Sequence, residues 1–335
     1  MAIRVAINGF GRIGRLVFRS IIEHNRTDIE VVAINDLGPV ATSAHLLKYD
    51  SSHGILNAEV TSDEDSLSVD GRSVRVLAQR DPANLPWGAL GVDIVMECTG
   101  FFASKEKSMA HIKAGAKRVL ISAPAGGADK TIVFGVNSDT LGPDDLVVSN
   151  ASCTTNCLSP VAKVLHDTFG IERGYMTTIH AYTGDQPTLD TMHSDMYRAR
   201  SAAMSMIPTS TGAAKAVGLV LPELAGKLDG SSIRVPTPNV SCVDLCFDTA
   251  KEASVESVNA AIIAAADGPM KGVLGYSDAP LVSIDYNHNA NSSTFALPQT
   301  QVMDGRFVRI LTWYDNEWGF ATRMSDTAAV MGKFL

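Results

Sequence analysis

The first 24 residues of the chain contain the pattern that most restricts its fold. Residues 3–8 form an apolar run that predicts a strand, and residues 13–24 carry apolar side chains on one face of a predicted helix. Between them, residues 9–14 read G-F-G-R-I-G. A strand that passes through spaced glycines into a helix lets the backbone approach a pyrophosphate at the helix N-terminus. The segment predicts a dinucleotide-binding domain, and a glycine turn without a ligand is the competing interpretation.

Further apolar runs, each ending in a polar or glycine-rich turn, continue to residue 150. They predict strands at residues 30–35, 93–98, 118–122, 131–135 and 146–149. Continuous apolar runs are typical of parallel strands covered on both faces, while the less regular residues 50–77 suggest a short antiparallel excursion. We predict an α/β fold whose first domain, residues 1–150, is a doubly wound, mostly parallel Rossmann sheet.

Beyond residue 150 the pattern changes to β-rich segments separated by long polar connections. A helix to about residue 169 precedes predicted strands at residues 175–180, 232–236, 241–247 and 306–313, and residues 254–267 predict another helix. We predict a mainly antiparallel α+β domain over residues 151–316. Residues 317–335 predict a C-terminal helix with Phe320, Met324 and Ala328 on one stripe, and we expect this helix to pack back on the first domain.

Polar side chains follow several strands of the first domain, at the sheet edge where such folds bind ligands. Asp36 follows the second strand, where a carboxylate accepts hydrogen bonds from a ribose diol and repels a 2′-phosphate, which favours NAD over NADP. A helix cap or a turn is the alternative role for Asp36. The predicted NAD site combines these strand ends with the glycines of the hexapeptide: Gly9, Gly11, Gly14, Asp36, Thr99, Gly100 and Ser122.

A cysteine stands where the predicted helix of the second domain begins. Cys153 follows S-N-A-S at residues 149–152. The partial positive charge of a helix N-terminus favours the thiolate, which attacks carbonyl carbon, so we predict a lowered thiol pKa and a nucleophilic role. Simple packing as a small hydrophobe is the alternative. Cys157 lies about one helical turn later. It would either pack in the interior without a chemical role or act as a resolving thiol under oxidation.

His180 and two arginines supply the other groups that such a nucleophile needs. His180 ends a predicted strand before the polar turn 181–186 and could serve as general base and then general acid. Arg198, Arg234 and the turn at residues 210–215 offer guanidinium and hydroxyl groups that suit phosphate oxygens. Taken alone, each of these residues is of a type that more often plays an ordinary polar role without taking part in catalysis or binding. Together they suggest a phosphorylated substrate.

Composition and charge argue against several other classes of protein. The net charge is -8 and no block of Lys or Arg follows the chain, which argues against nucleic acid as a partner. No apolar run reaches the length of a membrane span, and a strand that starts at residue 3 leaves no room for a signal sequence. The five cysteines match no zinc spacing, so we predict free thiols, no metal and a cytoplasmic location.

Five longer motifs carry a specific resemblance. They read A-S-C-T-T-N-C at 151–157, H-A-Y-T-G-D-Q at 180–186, P-T-S-T-G-A-A-K at 208–215, R-V-P-T-P-N-V-S at 234–241 and W-Y-D-N-E-W-G at 313–319. With these motifs the chain resembles the phosphorylating glyceraldehyde-3-phosphate dehydrogenases of bacteria from residue 3 to the C-terminal helix. The resemblance implies a glycolytic enzyme that converts glyceraldehyde 3-phosphate, NAD and inorganic phosphate to 1,3-bisphosphoglycerate through a thiohemiacetal and a thioester.

The same resemblance assigns roles residue by residue. It makes Cys153 the nucleophile and His180 its activating partner. To the NAD contacts it adds Arg12, Ile13, Arg80 and Asn316. The residues implied to bind the phosphate of the substrate or the attacking inorganic phosphate are Ser152, Thr154, Thr183, Arg198, Thr211, Gly212 and Arg234. It also implies a homotetramer, with residues 182–203 as an interface loop beside the cofactor of a neighbouring subunit.

Two positions depart from the pattern of the family. Phe320 stands where many members have tyrosine, which puts any contact by that hydroxyl near the nicotinamide in doubt. Met192 stands where proline is frequent and where members that accept NADP have serine. Met192 therefore weakens the prediction of a strict preference for NAD over NADP, although Asp36 favours that preference.

Other activities share part of these features. Erythrose-4-phosphate dehydrogenases have the cysteine and histidine motifs but, by the same resemblance, lack the pairs Thr183 with Gly184 and Thr211 with Gly212. Semialdehyde dehydrogenases of amino-acid biosynthesis share the architecture without the long motifs. A cysteine hydrolase or a non-catalytic NAD-sensing module would leave the arginines and the turn hydroxyls unexplained.

Overall fold

The computed structural model describes residues 2–335, and the chain forms two compact units. The first unit contains the residues up to Ile132 together with Ser138–Ala151 and Ala321–Leu335. The second unit contains Val133–Asn137 and Ser152–Phe320. Each unit has its own central sheet.

The first unit is built on a nine-stranded sheet. The strands of the unit are β1 (Ile3–Asn8), β2 (Ile29–Asn35), β3 (Tyr49–Asp50), β4 (Gly54–Ile55), β5 (Val60–Ser62), β6 (Ser66–Val69), β7 (Arg72–Leu77), β8 (Ile94–Glu97), β9 (Arg118–Ile121), β10 (Lys130–Thr131) and β11 (Val147–Ser149). Its complete helices are α1 (Arg12–Glu23), α2 (Val40–Lys48) and α3 (Lys105–Lys113).

The sheet order is β10-β11-β9-β8-β1-β2-β7-β6-β5, while β3 and β4 form a separate pair. All pairings from β10 to β7 are parallel, and β6 pairs with β5 and β7 in antiparallel orientation. The predicted parallel sheet and the antiparallel excursion within residues 50–77 are confirmed. The apolar runs have the predicted cause, because every residue of β8 and of β9 is buried.

One predicted strand of the first half is wrong in its extent. The pairing of β10 ends at Thr131, whereas the sequence predicts a strand over residues 131–135. The chain turns instead, with the Val133 N–H donating to Asn137 Oδ1 at 2.8 Å. Gly135 adopts a φ of +78°, which glycine accommodates readily. The apolar run therefore reflects burial of Ile132 and Val133 rather than strand pairing.

The second unit contains an eight-stranded, mainly antiparallel sheet. Its strands are β12 (Ile171–Ala181), β13 (Ile207–Ser210), β14 (Leu228–Val235), β15 (Ser241–Thr249), β16 (Leu274–Ser277), β17 (Ser293–Ala296), β18 (Gln301–Met303) and β19 (Phe307–Tyr314). Its helices are α4 (Cys153–Phe169), α5 (Ala213–Val220) and α6 (Val255–Asp267). The predicted α/β fold with a second, mainly antiparallel α+β part is confirmed.

The strands of the second unit follow the order β13-β14-β12-β15-β19-β17-β16, with β18 on β19. Parallel pairing joins β12 to β14 and β16 to β17, and the remaining pairs are antiparallel. The short strands β13, β16, β17 and β18 were not predicted from the sequence, because four residues or fewer show too little alternation to separate a strand from a loop.

The last helix, α7, spans Trp318–Met331, and its residues from Ala321 onward belong to the first unit. Phe320, Met324 and Ala328 are all buried, as their spacing on one stripe predicts. Within the first unit, Asp326 pairs with Arg26 at 2.7 Å. Thr327 donates a hydrogen bond to Asn150 at 2.8 Å.

Candidate active site

Cys153 is the first residue of α4, as the sequence predicts. Ser152 is the N-cap, and its hydroxyl accepts a hydrogen bond from the Thr155 N–H at 3.0 Å, which is the usual way a serine begins a helix. Thr154 directs its hydroxyl inward, where it lies 2.8 Å from the Tyr314 hydroxyl. The hydroxyls of Ser152 and Thr154 are thus engaged by the protein itself.

The structure places the thiol of Cys153 beside the imidazole of His180. The Cys153 Sγ and His180 Nε2 atoms are 3.5 Å apart. His180 Nδ1 lies 2.7 Å from the Ala181 carbonyl oxygen, which can only accept, so Nδ1 carries the proton. Nε2 therefore faces the sulfur as an acceptor. The imidazole also packs edge-on against Tyr314, with the ring centroids 5.8 Å apart.

Burial decides the resting charges of this pair. Burial raises the pKa of the Cys153 thiol, and the positive charge of Arg234 and hydrogen bonds from Thr154 offset only part of that rise. Burial, together with the charge of Arg234, lowers the pKa of His180 to about 3. The prediction of a lowered thiol pKa is therefore wrong, because the sequence shows where the helix begins but not how deeply the thiol is buried. A neutral imidazole is available to accept the thiol proton.

Two arginines lie near this pair of residues. Arg234 Nη1 donates to the Ala181 carbonyl at 3.1 Å and to the Thr183 hydroxyl at 3.3 Å. Burial, and then repulsion from Arg198, lower the pKa of Arg234. Arg198 is partly neutralised by Asp185, whose Oδ2 lies 3.0 Å from Arg198 Nη1. Guanidinium groups of this kind suit anions such as phosphate.

The turn before α5 lies close to the start of α4. Thr211 Oγ1 accepts from the Ala213 N–H at 3.2 Å, and Gly212 is an N-cap residue without a capping side chain. The Thr155 hydroxyl donates to the Ala213 carbonyl at 3.4 Å, so α4 and α5 begin next to each other. The structure therefore brings Thr211 and Gly212 to the same region as Cys153.

The predicted NAD residues of the first unit follow adjacent parallel strands. Along the sheet, the carboxyl ends of β9, β8, β1, β2 and β7 lead in turn to Ser122, Thr99, Gly9, Asp36 and Arg80. Such an edge is where doubly wound sheets bind nucleotides. The Asp36 carboxylate accepts from the Phe10 N–H at 2.7 Å and from the Gly38 N–H at 2.9 Å. Its position is thereby tied to the glycine loop.

The remaining predicted NAD residues differ in their surroundings. Arg12 pairs with Asp50 at 2.6 Å, which leaves the backbone of Arg12 and Ile13 at the start of α1 as the part that can face a pyrophosphate. Gly100 is exposed and has a φ of +76°. Asn316 belongs to the second unit, where its Oδ1 accepts from the Ser241 hydroxyl at 2.9 Å.

The glycine loop has the shape that a dinucleotide requires. Gly9 has a φ of +91°, and a Cβ there would stand 2.7 Å from the Thr99 nitrogen. A Cβ at Gly14 would overlap the Gly9 carbonyl oxygen, whereas a Cβ at Gly11 would meet no protein atom within 4 Å. The space above Gly11 is thus free in the protein, next to a helix N-terminus without a side-chain cap. These features fit the pyrophosphate of NAD.

We expect Gly14→Ala to lower the free energy of unfolding by roughly 2 kcal/mol or more, because its methyl group overlaps backbone that cannot move aside. Gly11→Ala is the matched control, since the same methyl group has room in the protein. Urea unfolding of both variants measures the difference. Equal stability of the two variants would contradict the geometry of the loop.

Sequence reasoning missed a buried polar network behind the predicted NAD residues. Asn35 Nδ2 donates to Asn8 Oδ1 at 2.7 Å, and Asn8 Nδ2 donates to Glu97 Oε2 at 2.5 Å. Glu97 also accepts from the N–H and the hydroxyl of Thr99 and lies 3.1 Å from His111 Nε2. The network ties together the ends of β2, β1 and β8. Its polar residues stand within apolar strands, which is the sequence feature that could have revealed it.

Tyr314 is a second residue that was missed as part of the site. Its hydroxyl lies 2.8 Å from that of Thr154 and 3.0 Å from that of Thr178, and its ring supports His180. It stands within the motif at residues 313–319 that carries the resemblance. Within residues 2–335, no cluster of three His, Cys, Asp or Glu side chains could hold a metal ion. Across the same residues, no helix combines the length and the apolar character of a membrane span.

Comparison with known proteins decides the family. Residues 152–316 match the model of the glyceraldehyde 3-phosphate dehydrogenase C-terminal domain, and residues 3–105 match that of its NAD binding domain. The chain belongs to the glyceraldehyde-3-phosphate dehydrogenase family. Members of this family from Cereibacter sphaeroides and Xanthobacter flavus are 69% and 68% identical to it over 335 and 333 residues, covering 100% and 99% of both chains. The member from Geobacillus stearothermophilus is 59% identical over 330 residues, 98% of each chain.

Proposed function

We propose that the protein oxidises glyceraldehyde 3-phosphate with NAD and inorganic phosphate to 1,3-bisphosphoglycerate. The observation that supports this most directly is the 3.5 Å approach of Cys153 Sγ to His180 Nε2, beside two guanidinium groups. A nucleophile next to a neutral base can attack an aldehyde, and the positive charge suits phosphate.

In this mechanism His180 takes the thiol proton as Cys153 Sγ attacks the aldehyde carbon. The Cys153 N–H at the start of α4 and the resulting imidazolium then donate to the oxyanion. Donors of this kind each lower the barrier by about 3 to 4 kcal/mol. NAD, when bound, supplies the hydride acceptor needed to convert the thiohemiacetal into a thioester. Inorganic phosphate attacks the thioester, and His180 returns its proton to the sulfur.

The remaining residues of the second unit would hold the two phosphate groups. Arg198, Arg234 and Thr183 offer charged and hydroxyl groups near the thiol. Backbone N–H groups at Thr154 and at the start of α5 would add donors. The full set assigned to the substrate phosphate or the inorganic phosphate is Ser152, Thr154, Thr183, Arg198, Thr211, Gly212 and Arg234.

A set of eleven residues would hold NAD. The residues assigned to it are Gly9, Gly11, Arg12, Ile13, Gly14, Asp36, Arg80, Thr99, Gly100, Ser122 and Asn316. The Asp36 carboxylate, held by two backbone N–H groups, supports a preference for NAD over NADP. We assign residues 1–150 to NAD binding, 151–316 to catalysis and oligomerisation, and 317–335 to a C-terminal helix.

The protein would act as a homotetramer in the cytoplasm. Leu189, Met192, Met196 and Tyr197 expose between 62% and 95% of their surface in the single chain. Such apolar exposure within residues 182–203 supports an interface between subunits. The five cysteines are all free among the residues that the structure describes, which supports a reducing compartment.

The deciding experiment mixes the protein with NAD, glyceraldehyde 3-phosphate and inorganic phosphate and follows the absorbance of reduced nicotinamide. We expect turnover that requires phosphate and is faster than with erythrose 4-phosphate. A preference for erythrose 4-phosphate would favour the related sugar-phosphate dehydrogenase. The absence of any reduced nicotinamide with either aldehyde would overturn the assignment to an aldehyde dehydrogenase.

A further inference from the structure

We propose that Ser241 is a positioning residue. Its buried hydroxyl orients the side chain of Asn316 and also holds Ala181, whose carbonyl orients His180. The inference rests on the proposed function, in which Asn316 contacts NAD and His180 moves protons. Ser241 itself touches neither reactive group. It is the last residue of the motif R-V-P-T-P-N-V-S, of which the mechanism otherwise uses only Arg234.

The hydroxyl of Ser241 makes two hydrogen bonds with a defined direction. It accepts from the Ala181 N–H at 3.0 Å and donates to Asn316 Oδ1 at 2.9 Å. Ser241 is only 1% exposed, so water does not compete for these bonds. The register explains its place, because the pairing of β12 with β15 ends at Ile179 opposite Cys242. Beyond that point the serine side chain, rather than a strand, takes the Ala181 N–H.

The bond to Asn316 determines how its amide points. With Oδ1 held by Ser241, the amide nitrogen Nδ2 must point away from that serine. Asn316 is only 4% exposed, so its amide group is held within the protein. An amide N–H can donate to the carbonyl oxygen of a carboxamide such as that of NAD. Ser241 therefore keeps this donor in the orientation that binding of the nicotinamide needs.

The hydrogen bond between Ser241 and Ala181 affects the imidazole of His180. The Ala181 carbonyl accepts from His180 Nδ1 at 2.7 Å and from Arg234 Nη1 at 3.1 Å. This carbonyl selects the imidazole tautomer that leaves Nε2 open toward Cys153. By holding the N–H of the same residue, Ser241 limits how far that carbonyl can move. The side chain of Ser241 thereby orients both Asn316, which would contact the cofactor, and His180, which accepts the thiol proton.

The first test measures NAD binding by calorimetry without substrate. We expect Ser241→Ala to weaken binding about tenfold, because Asn316 loses the bond that orients it. Asn316→Ala should cause a similar loss, and the double variant should bind no more weakly than Asn316→Ala alone. Ser232→Ala is the matched control, since Ser232 is buried in β14, which β12 separates from β15, and within residues 2–335 its hydroxyl has no hydrogen-bond partner. It should bind NAD as the parent does.

The second test measures alkylation of Cys153 in the NAD-free protein. At pH 7, Ser241→Ala should slow alkylation by about threefold through the less constrained His180, and Ser241→Thr should restore much of the rate by keeping the hydroxyl. If Ser241→Ala does not fold, Ser241→Cys, which is similar in size and a weak donor, replaces it in the binding experiments.

Parent-like NAD binding by Ser241→Ala, or losses that multiply in the double variant, would overturn the proposal for Asn316. A parent-like alkylation rate would overturn its second part, which concerns His180. Neither measurement needs turnover. A failure of the proposed function would instead appear in the parent protein, as a lack of reduced nicotinamide with aldehyde and phosphate.

Discussion

Replacing Cys153 with serine should reduce the oxidation of glyceraldehyde 3-phosphate by a factor on the order of 10⁶, since removal of the nucleophile of a serine protease costs about this much. A hydroxyl is far harder to deprotonate than a thiol, and the imidazole beside it has a pKa of only about 3, so it is too weak a base to ionise serine. Steady-state formation of reduced nicotinamide measures the loss. Mass spectrometry should detect no acyl-enzyme.

The matched control is Cys246→Ser, a half-buried cysteine on β15 outside the site. It should keep parent activity and parent sensitivity to alkylating reagents. Calorimetry should show that Cys153→Ser still binds NAD, because no NAD residue of the first unit has changed. Acyl-enzyme formation by Cys153→Ser, or inactivation of the protein by Cys246→Ser, would remove Cys153 as the proposed nucleophile.

Replacing His180 with asparagine should lower the rate of hydride transfer by about 10² to 10⁴, the usual contribution of a general base. The thiol, whose pKa is raised by burial, would lose the acceptor 3.5 Å away. The rate of Cys153 alkylation by iodoacetamide measures the loss of this proton acceptor without catalytic turnover. The rate at pH 7 should fall, and its rise with pH should move to higher pH than in the parent.

The same substitution has a consequence for stability that depends on pH. The pKa of His180 is lowered from 6.5 to about 3, so between these values the unfolded chain binds a proton that the folded chain does not. His180 therefore lowers the free energy of unfolding of the parent progressively as pH drops from 6.5 toward 3, and His180→Asn should lack this effect. Urea unfolding at pH 7 and pH 5 tests the sign. The exposed His45, replaced by asparagine, serves as the control.

The early part of the chain was predictable because its structure is determined locally. The glycine hexapeptide requires a strand before it and a helix after it, and β1 and α1 lie there within one residue of the predicted limits. The start of α4 was predictable for the same reason, since Ser152 is a good N-cap wherever it occurs. Strands such as β13 were not, because pairing with β14 rather than local pattern creates them.

The chemistry of the candidate site depends on what lies far away along the chain. The sequence alone determined the fold class, the family resemblance, the start of the helix that carries Cys153 and the residue types available for catalysis. The tertiary structure decided the charge state of the thiol, the tautomer of His180 and the bonds of Ser241 to Ala181 and Asn316. Burial and hydrogen-bond distances arise only when distant segments pack together. A sequence pattern therefore identifies the catalytic groups, whereas folding determines their pKa values and the orientation of their hydrogen bonds.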